Sequence, residues 1–267
     1  MKKLALGLLV TLCVAALAYV LLFMKEKPAA SSSSESVSQQ STPELNVYKK
    51  ADTLADIQEA LDYEISQNPD TVAWLQVPGT QISNSVLQAH DNFFYLRQNE
   101  RRQADVYGCY FADYECSVGA RDVLSHNTIV YGHSDLQDSP DGKRFSQLHH
   151  FTDPDFAQEN RMITFVTPTD AMRFEIFAVF YTDVGFDYIE PEPSGGIAAL
   201  AATAKEKSLY DYGVNVGDDD HILTLSTCTV QYGVNNHNYR FVVMGRLLGQ
   251  DDPEPEKTAI TVKGAQQ

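Results

Sequence analysis

The pattern of hydrophobic and polar positions begins with an apolar run. Residues 4–24 carry no charged side chain and are long enough to cross a bilayer core as a helix. A cleaved signal peptide would have a shorter apolar region followed directly by a small-residue cleavage site, so we favour an uncleaved transmembrane anchor. Lysines flank both ends and leave the orientation undecided. The bulk and acidity of the following chain favour a cytoplasmic start at 1–3 and a single-pass membrane protein with its main domain outside the cell.

Beyond the apolar run the pattern predicts three further segments. Residues 25–43 are rich in Ser, Ala and Gln and are typical of a flexible tether. Residues 44–249 are long enough for one domain with a substantial core. Residues 250–267 are polar and predict a frayed C-terminal tail.

Within the long domain the hydrophobic period changes from helical to alternating. Apolar residues three and four apart predict a helix over residues 53–66, with Asp52 as its N-cap. Short apolar runs separated by turn residues then predict eight strands, with helices inserted between them at 91–97, 141–151, 153–154 onward and 194–210. The predicted strands are 72–77, 82–87, 106–111, 127–133, 162–167, 173–181, 221–228 and 240–248. This series predicts a mostly β fold, an eight-stranded barrel with helical insertions.

Charge and cysteine content narrow the classes of function. The formal net charge of −16 repels polyanions, so nucleic acid is not expected as a partner. Outside the apolar run the cysteines are Cys109, Cys116 and Cys228, an odd number that leaves at least one thiol unpaired. Cys109 and Cys116 could close a small loop or could be buried separately. No Cys/His spacing of a zinc site is present, and we expect no metal and no cofactor.

Three strand ends carry residues that could act together. Cys228 ends one predicted strand, His133 ends another, and Arg240 begins the strand that follows Cys228. A thiol nucleophile needs a base for its proton and donors for the oxyanion, which His133 and Arg240 would supply. His126 and His237 are rivals for the base, and Arg246 is a rival for the donor. The alternative for Cys228 is a buried apolar thiol.

These residues lie in a pattern that resembles the sortase family, and class B most closely. The matching stretches are 127–133 with its Tyr-Gly-His ending, 224–228 with its Leu-Ser-Thr-Cys ending, and Arg240-Phe-Val-Val. The resemblance extends over about residues 43–249 and includes the N-terminal helix and the helix at 194–210. It implies a sortase-type β-barrel that forms the catalytic domain.

The resemblance also implies an activity. Such enzymes are membrane-anchored cysteine transpeptidases of Gram-positive bacteria that recognise a C-terminal sorting signal of surface proteins, of the Asn-Pro-x-Thr-Asn or Pro-x-Thr-Gly type. Cys228 would form a thioacyl intermediate with the threonine, His133 would transfer protons, and Arg240 would hold the oxyanion. An amine of a peptidoglycan precursor would then release the product.

By similarity to class B, seven residues should line the substrate groove. Tyr188 is the most interesting, since an exposed aromatic is a common anchor for a proline-containing peptide. Plain core packing is the alternative for Leu96 and Ile189. The full predicted set is Asn92, Leu96, Tyr131, Tyr188, Ile189, Ser226 and Thr227.

One departure from the family pattern concerns the residues after the cysteine. Several class B members have an acidic residue there, where this chain has Thr229-Val230-Gln231. An acidic group that could orient His133 is therefore not visible, and this favours Arg240 as the essential partner.

Other functions remain open from sequence. A cysteine peptidase would use water as the acceptor, and a pilin-polymerising sortase would use a lysine amine. Outside enzymes, an inactive surface-binding barrel could keep the same fold.

Overall fold

The computed structural model describes residues 53–253 and 259–263. The predicted anchor at 4–24 and the predicted tether at 25–43 lie outside these ranges. Within the described residues, no helix has the length and hydropathy needed to cross a membrane.

Eight strands close into a barrel, as predicted. They are β1 (Thr71–Gln76), β2 (Ser83–Leu87), β3 (Tyr110–Ala112), β4 (Asn127–Tyr131), β5 (Met162–Val166), β6 (Ala171–Asp183), β8 (Ile222–Cys228) and β9 (Tyr239–Leu247). Their spatial order is β1-β2-β3-β4-β8-β9-β6-β5, and β5 pairs with β1 to complete the ring. Alternating apolar residues of these strands fill the interior, and closure removes exposed sheet edges.

The first helix, α1 (Leu54–Gln67), packs outside the barrel against β1. Its buried residues Ile57 and Leu61 share an apolar cluster with Trp74. The N-cap is Thr53 and not the predicted Asp52, because Asp56 stands three residues after Thr53 and completes a capping box. The Thr53 hydroxyl accepts from the Asp56 N–H at 3.1 Å, and the Asp56 carboxylate accepts from the Thr53 N–H at 3.1 Å.

The inserted helices are shorter than predicted or have a different geometry. Residues 91–97 contain the 3₁₀ helix η1 (Phe94–Leu96), and residues 141–151 largely form the 3₁₀ helix η2 (Arg144–Thr152). The short helix α2 (Pro154–Glu159) follows, capped by Asp153. The predicted helix at 194–210 is α3 (Ile197–Lys207), which starts after Gly196 in the left-handed region at φ +83°.

Two neighbouring pairings bring three strand ends to one end of the barrel. β4 runs parallel to β8, with Tyr131 opposite Ser226, so the C-terminal ends of both strands lie together. β9 runs antiparallel to β8, with Arg240 opposite Cys228, so the start of β9 lies there too. We call this end, marked by Cys228, Arg240 and the residues after Tyr131, the thiol end. The other end, marked by Ile222 and Arg246, is the distal end.

Strands β4 and β3 are among those whose bounds differ from the prediction. β4 stops at Tyr131, so His133 lies in the connection two residues beyond it. β3 begins at Tyr110 and not near Val106, because the chain at Gly108 is pressed against η1. A Cβ on Gly108 would collide with the Tyr95 carbonyl oxygen, and its φ of +53° also favours glycine.

Part of the C-terminal segment is ordered, contrary to the expectation of a frayed tail. Strand β10 (Thr261–Val262) pairs antiparallel with β7 (Tyr210–Asp211), forming a second, two-stranded sheet. Val262 lies opposite Tyr210 in this pairing.

Candidate active site

Cys228 is the exposed final residue of β8. The six preceding residues of the strand are buried, so a rigid and fully packed strand carries the thiol to the surface. The alternative of a buried apolar thiol is therefore wrong for Cys228. It holds for Cys109 and Cys116, which are both buried and free, and burial raises the pKa of the Cys116 thiol to about 12.

His133 is half-buried in the connection after β4, and a backbone carbonyl orients its ring. Its Nε2 lies 2.8 Å from the carbonyl oxygen of Leu96. Because a carbonyl only accepts, Nε2 carries the hydrogen, and Nδ1 of the neutral ring is left to exchange a proton. Burial lowers the pKa of His133, the Leu96 carbonyl opposes this, and the charges of Arg97 and Arg144 lower it further.

Arg240 faces Cys228 across the β8–β9 pair. Its Nη1 donates to the carbonyl oxygens of His237 at 2.7 Å and Tyr239 at 2.9 Å. These bonds fix the guanidinium, and among the described residues they leave Nη2 and Nε available as donors to a substrate. Within the same residues, no hydrogen bond joins the Cys228 thiol to His133 or Arg240, a separation common in free enzymes.

Tyr188 is buried at the thiol end, so the expectation of an exposed aromatic is wrong. Its side chain is 4% exposed, and its hydroxyl lies 2.9 Å from Ser226 Oγ. Burial raises the pKa of Tyr188, and the Ser226 hydrogen bond and the Arg240 charge oppose this. The segment is held inward because the Asn127 side chain donates to the carbonyls of Tyr188 and Glu190, both at 2.9 Å.

Thr227 is buried and is engaged within the protein. Its hydroxyl donates to the Gly132 carbonyl at 2.7 Å, and the Gly132 N–H donates to the Ser226 carbonyl at 3.3 Å. Thr227 therefore ties the end of β8 to the chain just before His133 and does not present its hydroxyl to a groove.

Asn92 and Tyr131 meet on one buried carboxylate. The Asn92 amide and the Tyr131 hydroxyl each donate to Asp113 Oδ2, both at 2.8 Å. Burial and the Asp113 charge raise the pKa of Tyr131, so its hydroxyl keeps its proton. Asp113 was absent from the predicted set, because it follows a three-residue strand and no motif marks it.

The remaining two predicted groove residues differ in exposure. Leu96 is partly buried against an apolar cluster that includes Tyr95 and Phe111, so core packing accounts for only part of its surface. Ile189 is 42% exposed, so core packing does not apply to it.

The rival residues lie in other surroundings. Arg246 is opposite Ile222 at the distal end and lies near the carboxylates of Asp220 and Glu175. His126 is also at that end, with Nδ1 2.5 Å from Glu192 Oε2. His237 is exposed in the loop after Cys228, where its carbonyl accepts from Arg240.

One acidic side chain lies close to the residues after the cysteine, although the sequence of that loop lacks one. Asp138 Oδ2 accepts from the Thr229 hydroxyl at 2.5 Å and from the Val230 N–H at 2.9 Å. Asp138 comes from the connection that follows His133, so inspection of residues 229–231 alone misses it. In the described ranges, no group of three or more His, Cys, Asp or Glu side chains is arranged to hold a metal ion.

Comparisons with known proteins decide the family. The Sortase domain family model matches residues 75–248. The chain belongs to the sortase family. Sortase B of Listeria monocytogenes is 32% identical over 183 residues, which cover 68% of this chain and 71% of that protein.

Solved structures support the class. The Staphylococcus aureus sortase B–substrate complex has a TM-score of 0.62 and 27% identity, covering 72% of this chain and 85% of that one. A structure of sortase B complexed with triglycine has a TM-score of 0.63 and 26% identity, covering 73% and 88%. The chain is a class B sortase, a cysteine transpeptidase that acts on sorting-signal substrates.

Proposed function

We propose that this sortase cleaves a sorting signal of the Asn-Pro-x-Thr-Asn or Pro-x-Thr-Gly type and joins the threonine to an amine of a peptidoglycan precursor. The observation that carries the assignment of residues is the register at the thiol end. Arg240 lies opposite Cys228, and His133 follows the parallel strand on the other side of β8.

The first half of the reaction forms a thioester. His133 takes the proton of Cys228, and the sulfur attacks the threonine carbonyl carbon of the signal. The free N–H groups of Arg240 donate to the oxyanion of the tetrahedral intermediate. The C–N bond then breaks, and the imidazolium of His133 gives its proton to the leaving amine.

The second half transfers the acyl group. An acceptor amine attacks the thioester carbonyl and gives a proton to His133, while Arg240 again holds the oxyanion. When the C–S bond breaks, the thiolate takes the proton back from His133 and the free enzyme is restored. The acceptor is an amine in our proposal, in line with the sortase B structure that was solved with triglycine.

The groove would hold the signal beside the thiol. Leu96 and the exposed Ile189 are apolar surfaces suited to the side chains that precede threonine. Two groups of hydrogen-bonded residues would support the groove from beneath. Tyr188 bonds Ser226, and Asn92 and Tyr131 both bond Asp113.

We also propose that the catalytic domain lies on the extracellular face of the membrane, anchored by residues 4–24. The apolar run and the acidic bulk of the remaining chain support this arrangement. The same location gives access to surface proteins and to peptidoglycan precursors.

The test is peptide cleavage by the wild-type protein and by three cysteine variants. Cys228→Ala should abolish cleavage and the thioacyl adduct detected by mass spectrometry. Cys109→Ala and Cys116→Ala are matched controls that should retain activity, because both thiols are buried. Full activity of Cys228→Ala would refute the proposal.

Product analysis then separates transfer from hydrolysis. With triglycine and with a diaminopimelate-type amine added in turn, a transpeptidase should yield the peptide–amine product in place of the free acid. Free acid alone, with every amine tried, would instead identify a cysteine peptidase.

A further inference from the structure

Asp138 joins the connection that contains His133 to the loop that follows Cys228. It is five residues after His133, in the connection between β4 and η2. Its backbone has φ +50°, which is uncommon for a residue other than glycine. Its side chain is only 13% exposed, so its bonds are shielded from water.

The carboxylate of Asp138 holds the two residues that follow Cys228. Both donors, the Thr229 hydroxyl and the Val230 N–H, bond to the same oxygen, Oδ2. The backbone tie of this segment to β9 is weaker, since the Thr229 N–H is 3.4 Å from the Tyr239 carbonyl. Hydrogen bonds to a buried charged group are among the stronger ones in proteins.

Hydrogen bonds hold the chain on both sides of Cys228. Before Cys228, Thr227 bonds Gly132, and after Cys228, Thr229 and Val230 bond Asp138. Gly132 and Asp138 stand on either side of His133 in the chain. The residues that flank the thiol are thus tied to residues that flank the imidazole.

The second carboxylate oxygen of Asp138 contacts the buried side chain of His149. His149 Nε2 lies 3.4 Å from Asp138 Oδ1, and the His149 ring stacks on Phe241 with centroids 4.5 Å apart. Phe241 follows Arg240 in β9. Asp138 is therefore linked through His149 to Phe241, the neighbour of Arg240 in β9.

We propose that Asp138 is a positioning residue that sets the place of the Cys228 thiol relative to His133. It acts through Thr229 and Val230 and does not itself exchange the proton. The inference rests on the proposed function, because it takes Cys228 as the nucleophile. A displacement of about 1 Å between reacting groups can lower a rate by about 100-fold, so such a restraint has a measurable effect on kcat.

The experiment compares Asp138→Ala with Asp138→Asn in the full chain. We expect Asp138→Ala to lower kcat by about 10- to 100-fold with KM within about twofold, after correction for the titrated fraction of reactive Cys228. Asp138→Asn should recover most of kcat, because one amide oxygen can accept both bonds now made to Oδ2. Wild-type kcat in Asp138→Ala, or equal loss in both variants, would overturn the inference.

Two further variants guard against a merely structural effect. Asp153→Ala is the matched control, since Asp153 also accepts from backbone N–H groups, but at the start of α2. It should keep the wild-type kcat. If Asp138→Ala does not fold, Thr229→Val removes one of the two bonds, and an unchanged kcat in that variant would overturn the inference.

The parallel result for Cys228→Ala keeps the two proposals apart. An active Cys228→Ala protein would refute the proposed function. An inactive Cys228→Ala protein together with fully active Asp138→Ala would refute only the role of Asp138.

Discussion

Each end of the barrel contains an arginine and a histidine, but the partners of these side chains differ between the two ends. At the distal end, Arg246 lies near two carboxylates and His126 contacts Glu192. At the thiol end, Arg240 bonds two backbone carbonyls and His133 bonds a third. A carbonyl orients a donor without neutralising a full charge, whereas a carboxylate does both. The partners of a residue, more than its type, therefore separate a group available for chemistry from a structural one.

The largest expected effect is the loss of activity on substitution of His133, with His126 at the distal end as the comparison. His133→Ala should lower kcat/KM by about 10²- to 10⁴-fold, because the variant lacks the ring that carries the proton in both halves of the reaction. His126→Ala should change it little, since it removes contacts with Glu192 and His221 at the distal end, away from Cys228. Steady-state kinetics with a sorting-signal peptide measure both. Equal losses in the two variants would remove the distinction between the ends.

Substitution of Arg240 should lower activity, whereas substitution of Arg246 should lower stability. Arg240→Gln should lower kcat/KM by about 10²- to 10³-fold through loss of the oxyanion donor, with little change in the free energy of unfolding. Arg246→Gln should keep activity and lower that free energy by about 0.5–1 kcal/mol, because it removes the partly exposed ion pairs with Glu175 and Asp220 while Glu175 keeps its closer partner Arg161. Steady-state kinetics and urea unfolding of both variants measure the change in activity and the change in stability. Loss of stability without loss of activity in Arg240→Gln would contradict the prediction.

The smallest expected effect is a shift in the pH dependence of kcat/KM. A protonated His133 cannot accept the thiol proton, so activity persists above its pKa and is lost as pH falls through it. Because burial lowers that pKa, the acid limb of kcat/KM should lie below pH 6.5, the ordinary value for histidine. Arg97→Gln should move the limb to higher pH, since the Arg97 charge helps to lower the pKa.

A matched control for the pH profile is Arg173→Gln. Arg173 donates to the Asp252 carbonyl and pairs with Thr164 in the sheet, away from His133. This variant should leave the acid limb in place. A limb that does not move in Arg97→Gln would show that the charge near His133 does not tune its titration.

Much of the barrel was predictable because its strands are short, apolar and separated by turn residues. The positions of Cys228 and Arg240 at strand ends followed from the same pattern, since hydrophobic runs end where polar side chains begin. His133 was proposed from the same pattern, as the polar end of another apolar run, and the family resemblance supported that choice over the other histidines. The local pattern could not show that β4 stops before His133, because that boundary depends on the neighbouring chain.

The groove was less predictable, because its residues depend on contacts between distant segments. Tyr188 is buried through the Asn127 amide, a residue sixty-one positions earlier in the chain. Asp138 lies next to Thr229 although they are ninety-one positions apart. Hydrophobic periodicity carries no information about such pairs, and the connection over residues 134–142 has no regular period.

The contact between His133 and the Leu96 carbonyl affects how this site can change during evolution. A backbone acceptor is present whatever side chain occupies position 96, so point substitutions there can reshape the groove without deleting the group that selects the histidine tautomer. An orienting carboxylate would be lost by a single codon change. Substrate preference at this site can therefore diverge among descendants while the proton-transfer step is inherited intact.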